Sequence, residues 1–366
     1  MAVAVAPYLK KHEAEVREFN NRVRGSEGAF EFPECAVPEW LPPAPGHRIY
    51  QDQFLALDGA EVHGGYLLKH QDFSFRGETA SIGYYHSALS EGLVDKKFST
   101  VGVQLLMDAL KRQPLLYALG MGGMDRPLPR MLKAAGWKLS EVPFFFRIVH
   151  PSPFLRNIET LRTSNWRRFA MTFAALTGAG WAGVRVYQRM KTKPQPAPHA
   201  TVDFFDTFGP WANALWAQCA PHYSFIAVRD SETLGILYPG GKFLRMKIAS
   251  GGKTIGWAVA LDTQMQWNKH FGDMRIGSIV DCLALPEHAP HVMAAARRVL
   301  ERRGVDLILC NHSHPAWNAA LRGAGFLDGP SNFIFGASKA LTKKMDETGG
   351  GDVFLMRGDG DGPIHL

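Results

Sequence analysis

The side chains able to do chemistry gather in a few short stretches. Lys96-Lys97-Phe98-Ser99-Thr100-Val101-Gly102 runs into a segment with Val101, Leu105, Leu106, Ala109 and Leu110 at helical spacing, which predicts a helix from about Thr100 to Arg112. The first N–H groups of a helix have no partner within it and the dipole there favours negative charge, so this turn can cradle a pyrophosphate. Lys96 and Lys97 add point charges. On the strand just upstream, read from about Ala80 to Glu91, His86 and Tyr84 alternate with Glu91. In the second half, Asp281-Cys282 could pair an acid with a nucleophile, although a Cys between apolar neighbours is more often buried and unreactive. Asn311-His312-Ser313-His314 has two imidazoles but no third ligand nearby, which is poor zinc spacing and suits a polar strand end. Arg357-Gly-Asp-Gly-Asp-Gly362 lacks calcium-loop spacing and reads as a flexible terminus. No metal site is expected.

The elements that must position these residues are written twice. Residues 117–149 and 306–338 share a short apolar strand, a polar turn, a helix ending in Ala-Gly-aromatic, and an aromatic strand. Asp125 lies 11 positions before Gly136-Trp137, and His314 lies 11 before Gly325-Phe326; the two glycines are 189 apart. Upstream, the first half has an amphipathic helix with Leu9, Val16, Phe19 and Val23 near one face, then two strands joined at Asp58-Gly59. The second half has aromatic-rich helices over Phe204 to Cys219 and a hairpin turning at Ser250-Gly-Gly-Lys253. A strand from Ile276 to Leu285, a helix from about Ala289 to Arg303 and a strand from Asp306 to Cys310 follow. Helix, hairpin, strand, helix, strand, helix, strand in each half implies an α/β fold with a mixed sheet in each of two domains, related by internal duplication. The expected boundaries are 1–155 for the first domain, 156–200 for a connection and 201–366 for the second.

Composition fits two ordinary globular domains: 366 residues, 46% hydrophobic and 20% charged. Four cysteines without paired spacing argue against a disulfide framework, and the start of the chain lacks the pattern of a secretory signal, so a cytoplasmic location is expected. The net charge of +7 is localised: between Arg156 and Lys193 stand eight basic residues and one acid, Glu159, around an uncharged run from Phe169 to Val184. That run is short of the ~20 residues a spanning helix needs. It reads as a helix packed with the domains or as a contact to an anionic membrane surface through residues 156–193, peripheral at the inner membrane face. The pattern argues against nucleic acid as a partner, because these basic residues flank an apolar run without spaced aromatics.

The element order, with a loop entering a helix after the hairpin's third strand and helices ending in Ala-Gly-aromatic, resembles the GNAT superfamily of acyl-CoA-dependent N-acyltransferases, as two tandem domains covering most of the chain. The family's signature is Gln or Arg, two residues, Gly, one residue, Gly or Ala; here Lys97, Phe98, Ser99, Thr100, Val101 and Gly102 stand at those positions, and Gly102 alone matches outright. The resemblance implies that this loop binds acetyl-CoA as cosubstrate and that an acyl group passes to an amine of a small molecule, amino sugar or peptide. It implies Glu91 as general base, with His86 as a second candidate. It also implies an acidic tyrosine four residues before each Gly-aromatic pair, where this chain has Leu132 and Leu321. In the second half the corresponding loop, Pro286-Glu-His-Ala-Pro290, offers an acid and two prolines without N–H groups, a poor phosphate cradle. The first domain is therefore expected to hold the active site. Two other functions suit the same architecture: aminoacyl transfer from charged tRNA onto cell-wall precursors, and non-catalytic binding in envelope or polysaccharide assembly.

Overall fold

The structure is a computed structural model that describes residues 3–24, 30–157, 186, 188, 190, 199–268 and 270–360. The chain divides into two compact units, Met1–Glu141 with Asn332–Gly350 and Val142–Ser331 with Gly351–Leu366. The first begins with β1 (Ala4–Pro7), α1 (Glu13–Val23), β2 (Tyr50–Asp58), β3 (Glu61–Phe75) and β4 (Glu78–Ser90). It continues through α2 (Val101–Arg112), β5 (Leu116–Leu119), α3 (Pro127–Ala134) and β6 (Lys138–Glu141). The second holds β7 (Phe144–Ile148), α4 (Pro151–Asn157), β8 (Thr201–Phe204), α5 (Pro210–Cys219), β9 (Ile226–Ala227) and α6 (Ser231–Leu237). After these come β10 (Leu244–Ser250), β11 (Lys253–Gln264), β12 (Arg275–Ala284), α7 (Ala289–Arg302), β13 (Leu307–Asn311), α8 (Pro315–Gly323) and β14 (Leu327–Gly329). Then β15 (Ile334–Ala337) and α9 (Lys339–Glu347) complete the first unit.

The main strand paths are β1-β2-β3-β4-β5-β15-β6 and β8-β10-β11-β12-β13-β7-β14, so these two runs of seven correspond position by position. Only β4–β5 and β12–β13 are parallel among these neighbours; the other pairs are antiparallel. Position six of each sheet is filled from the other half of the sequence: β7 pairs β13 and β14, while β15 pairs β5 and β6. The units therefore do not follow the contiguous boundaries 1–155 and 201–366. The local cause lies at Val142-Pro143, the two residues between β6 and β7. A two-residue hairpin loop needs positive φ, which a β-branched residue resists and proline forbids, and a residue before proline is held extended. The chain passes from β6 of the first unit to β7 of the second instead of pairing the two as a hairpin.

Both expected hairpins form, with Gly59 at φ 62° and Gly251 and Gly252 at 56° and 77°. Gly136 (φ 81°) and Gly325 (φ 85°) end α3 and α8 in matching caps: Trp137 N–H donates to the Leu132 carbonyl and Phe326 N–H to the Leu321 carbonyl, both at 3.0 Å. In the first unit, β3 is buried on both faces. Tyr66 and Leu68 join Leu105, Leu106 and Leu132 in one core cluster, while Val62 and Leu67 join Val16, Phe19 and Val23 of α1 in another. Among the described residues no helix is long and apolar enough to cross a membrane. The run Phe169–Val184 and the basic residues from Arg162 to Lys193 lie outside the described residues.

Candidate active site

Where β4 meets β5 the two strands pair only at Gly83–Leu116 and Tyr84–Tyr117, so β4 continues for six residues past its last partner on that side. The Tyr84 hydroxyl donates to the Leu119 carbonyl at 3.0 Å and closes the base of this divergence. Just above it the ladder with β3 slips: Leu67 faces His86 and Gly65 faces Leu89, leaving Ser87 and Ala88 opposite Tyr66. Ser87 lies in the left-handed region, φ 50°, with its side chain partly exposed. Such a bulge re-aims side chains and frees backbone groups, and a non-glycine residue held at positive φ marks stored strain. Glycine or asparagine would have signalled it in the sequence; serine gave no warning.

His86 is buried beside the bulge, stacked on Tyr84 with ring centroids 4.4 Å apart. Its Nε2 lies 2.7 Å from Gln51 Oε1 and its Nδ1 lies 3.2 Å from Ser87 Oγ. Since Gln51 Oε1 can only accept, Nε2 carries the proton and Nδ1 is left as acceptor for the serine hydroxyl.

Glu91 sits one step further on, in a different cluster. Arg22 Nε and Nη2 donate to its two oxygens at 2.9 and 3.2 Å, and His63 Nδ1 lies 2.8 Å from Oε2. Burial pushes this carboxyl up, but the hydrogen bonds and charges of Arg22 and His63 outweigh it and hold Glu91 below the usual range. That disfavours proton uptake and suits an ion-pair anchor. Phe98 closes the cluster, stacked on His63 at 4.1 Å, so two of the residues singled out from sequence, Glu91 and Phe98, meet through an unanticipated third.

The loop from Glu91 into α2 is compact. The Gly92 Cα lies so close to the Phe98 carbonyl and Ser99 Cα that an added Cβ would meet them at 2.7 and 2.9 Å. Thr100 at the N-cap makes no side-chain capping bond to the first N–H groups of α2. Lys97, Ser99 and Thr100 are exposed, Val101 is buried in the core and Gly102 is half-buried, its Cβ direction blocked by nothing nearer than Met131 Sδ at 3.5 Å.

The second unit repeats the geometry and then fills it. β12 and β13 pair from Ile276 to Ile279, and Val280 is the extra residue opposite the step from Val259 to Ala260. Here the C-terminal segment enters the divergence: Met356 bridges His312 just past β13 and places its Sδ 3.3 Å from Cys282 Sγ on β12, while Gly358 packs on Tyr238 Oη and the Val280 carbonyl. Residues 357–360 are therefore fixed, not a flexible terminus. Asp281 accepts from Arg229 and Tyr238, Arg229 also donates to Asp359, and burial pushes the Cys282 thiol well up, leaving it neutral. His312 and His314 each use Nδ1 to accept a backbone N–H, from His314 and Ala316, as turn and cap residues. Arg22, His63, Gln51, Ser87 and Arg229 escaped the sequence reading, because single polar residues on strands and helices carry no spacing that announces their partners.

No family model and no curated protein matches the sequence. Among solved structures, Saccharomyces cerevisiae N-myristoyltransferase with bound myristoyl-CoA aligns with a TM-score of 0.51 at 10% identity, over 92% of this chain and 78% of that one. Another structure of that enzyme, with inhibitors also bound, gives a TM-score of 0.51, 10% identity, and 92% and 79% coverage. A GCN5-related N-acetyltransferase from Anabaena variabilis aligns over 78% of this chain at 11% identity and a TM-score of 0.48, and the chain spans 62% of that protein's length, less than two thirds. At such identities the likeness is one of fold: the chain has the tandem GNAT-like, mixed α/β architecture that its doubled element order resembles.

Proposed function

We propose that the protein is an N-acyltransferase that takes an acyl group from acyl-CoA in the first unit and delivers it to an amine. The observation that carries this reading is the order along one strand: a divergence from β5, a strained bulge at Ser87, then a compact loop opening onto the uncapped N-terminus of α2. A pyrophosphate at that terminus takes N–H groups that no Thr100 side chain caps, and the acyl arm runs back along the open edge of β4 towards the bulge. In the transfer, the amine nitrogen replaces the thioester sulfur on the acyl carbon; the amine sheds a proton and the departing thiolate gains one. Backbone N–H groups at the bulge polarise the carbonyl. Leu132 is fully buried and has no proton to give, and Glu91 is occupied by Arg22, so proton handling falls to His86. In the second unit the matching divergence is filled by the chain's own Met356 and Gly358, and its loop carries Pro286 and Pro290, which supports a donor site in the first unit alone.

Thermal unfolding with coenzyme A, acetyl-CoA and myristoyl-CoA tests the donor site. A ligand at a hundred times its Kd adds about 2.7 kcal/mol of stability. A rise in Tm that disappears in Gly102→Val is expected; no shift at millimolar ligand, or the same shift in Gly102→Val, would reject the reading.

A further inference from the structure

We infer that Ser87 is a covalent nucleophile, activated by His86 and aligned through Gln51, and that it carries the acyl group as an ester; this rests on the proposed acyl-CoA chemistry of the first unit. Successive residues on a strand point to opposite faces, so a regular β4 would keep the side chains of His86 and Ser87 apart. The left-handed φ of 50° at Ser87 turns its hydroxyl back to 3.2 Å from His86 Nδ1. The strained residue is thus the one whose hydroxyl reaches an imidazole nitrogen. Gln51 Oε1, 2.7 Å from Nε2, fixes the tautomer with its lone pair towards the serine, and the stack on Tyr84 fixes the ring plane. Nucleophile, base and orienting group are in line, and burial falls in the order the chemistry needs: His86 and Gln51 are enclosed while Ser87 is partly exposed. Ser87 also stands three residues before Ser90, whose Cβ is 3.8 Å from the Cβ position of Gly102, so the nucleophile lies ~10 Å along the strand from the α2 N-terminus at ~3.3 Å per residue.

The steps balance without another reactant. Ser87 Oγ bonds to the acyl carbon as its proton passes to His86 Nδ1; the carbon–sulfur bond breaks and the imidazolium returns that proton to the thiolate, releasing the free thiol. The acceptor amine then attacks the ester, its proton goes to His86 and on to Ser87 Oγ as the carbon–oxygen bond breaks, and the amide leaves. The route gives the thiolate the proton that Leu132 cannot supply.

Two probes that do not depend on CoA binding test the serine: an alkyl fluorophosphonate, read by peptide mass, and p-nitrophenyl acetate, read as a burst of one nitrophenolate per chain. Both are expected to modify Ser87, to fail with Ser87→Ala, and to slow at least tenfold in Gln51→Leu with an altered pH profile of labelling while the thermal shift with coenzyme A is kept. Ser87→Ala should also lose ~10²-fold or more in acyl transfer. Folded protein that takes up neither probe at Ser87 overturns the covalent role, whatever its response to coenzyme A; loss of the coenzyme A shift alone rejects the donor site and leaves the nucleophile standing.

Discussion

Arg229 Nη2 donates to Asp359 Oδ1 at 2.8 Å with both side chains almost wholly out of water, which ties the C-terminal segment to the middle of the second unit. The same guanidinium donates through Nε to Asp281 Oδ1 at 2.9 Å and through Nη1 to the Ala227 carbonyl at 2.9 Å. Two carboxylates share one cation, Tyr238 Oη satisfies Asp281 Oδ2 at 2.8 Å, and Met356 N–H satisfies Asp359 Oδ2 at 2.8 Å. A buried ion cluster of this kind need not add net stability over an apolar core, but removing one member leaves the others uncompensated.

Arg229→Met is therefore expected to destabilise the second unit by roughly 3–5 kcal/mol, measured by urea unfolding. Adding Asp281→Asn and Asp359→Asn to that variant should restore part of the loss, because the stranded charges are then gone. A single variant within about 1 kcal/mol of the parent would show that the carboxylates find other partners. Limited proteolysis gives a second readout: Asp359→Ala should expose the chain after Gly350 to cleavage well before the rest of the unit opens.

The cluster also sets a pH dependence. Burial pushes Asp281 up to about 6 from an ordinary 3.8, with Asp359 nearby adding to the rise and Arg229 opposing it. The folded state thus holds more protons than the unfolded chain between those two values. Asp281 contributes its full share of stability below about pH 4, and that share falls as pH rises to about 6, by a few kcal/mol. The difference in unfolding free energy between the parent and Asp281→Asn should carry this slope between pH 4 and 6 and be flat above it; a flat difference throughout would disprove it.

Glu91 works in the opposite direction. Its carboxyl is held low, so its contribution is present above the ordinary glutamate range and is lost as pH falls through the lowered value. Glu91→Gln breaks the two-pronged contact with Arg22 and should cost about 1–3 kcal/mol at neutral pH. If Glu91 is an anchor and not the base, the pH at which kcat/KM reaches half its maximum on the acid side stays where it is in this variant. A shift of that limb would return the base role to Glu91.

How legible these features were depends on whether local sequence specifies them. The hairpin turns at Gly59 and Gly251-Gly252 and the caps at Gly136 and Gly325 were readable because positive φ leaves few residue choices. The doubled strand order followed from periodicity. The exchange of β7 and β15 was not readable as a pairing, since an aromatic strand fits either sheet and pairing is decided by the partner. Its one local sign was Val142-Pro143, which forbids the hairpin without saying where the strand goes. The bulge at Ser87 was hidden for a related reason: Ser87 is held at positive φ by the surrounding sheet, against its own preference. Arg22 and His63 are 69 and 28 positions from Glu91, separations at which sequence spacing carries no contact information.

Gly92 and Gly102 separate the loop's shape from its proposed ligand. A methyl at Gly92 would press on the Phe98 carbonyl and Ser99 Cα at 2.7 and 2.9 Å, so Gly92→Ala should displace the loop and cost about 1–3 kcal/mol. A methyl at Gly102 meets nothing nearer than 3.5 Å, and the position lies in the first turn of α2, where alanine is favoured over glycine by up to ~1 kcal/mol. Gly102→Ala is therefore expected to leave the free protein as stable as the parent or slightly more so. With coenzyme A the order changes: if phosphate oxygens approach the backbone at Gly102, the added methyl stands in their way and the ligand-induced rise in Tm should shrink. Unaltered stabilisation by coenzyme A in Gly102→Ala, together with a normal free-state Tm, would count against phosphate at the start of α2, as an unchanged shift in Gly102→Val would.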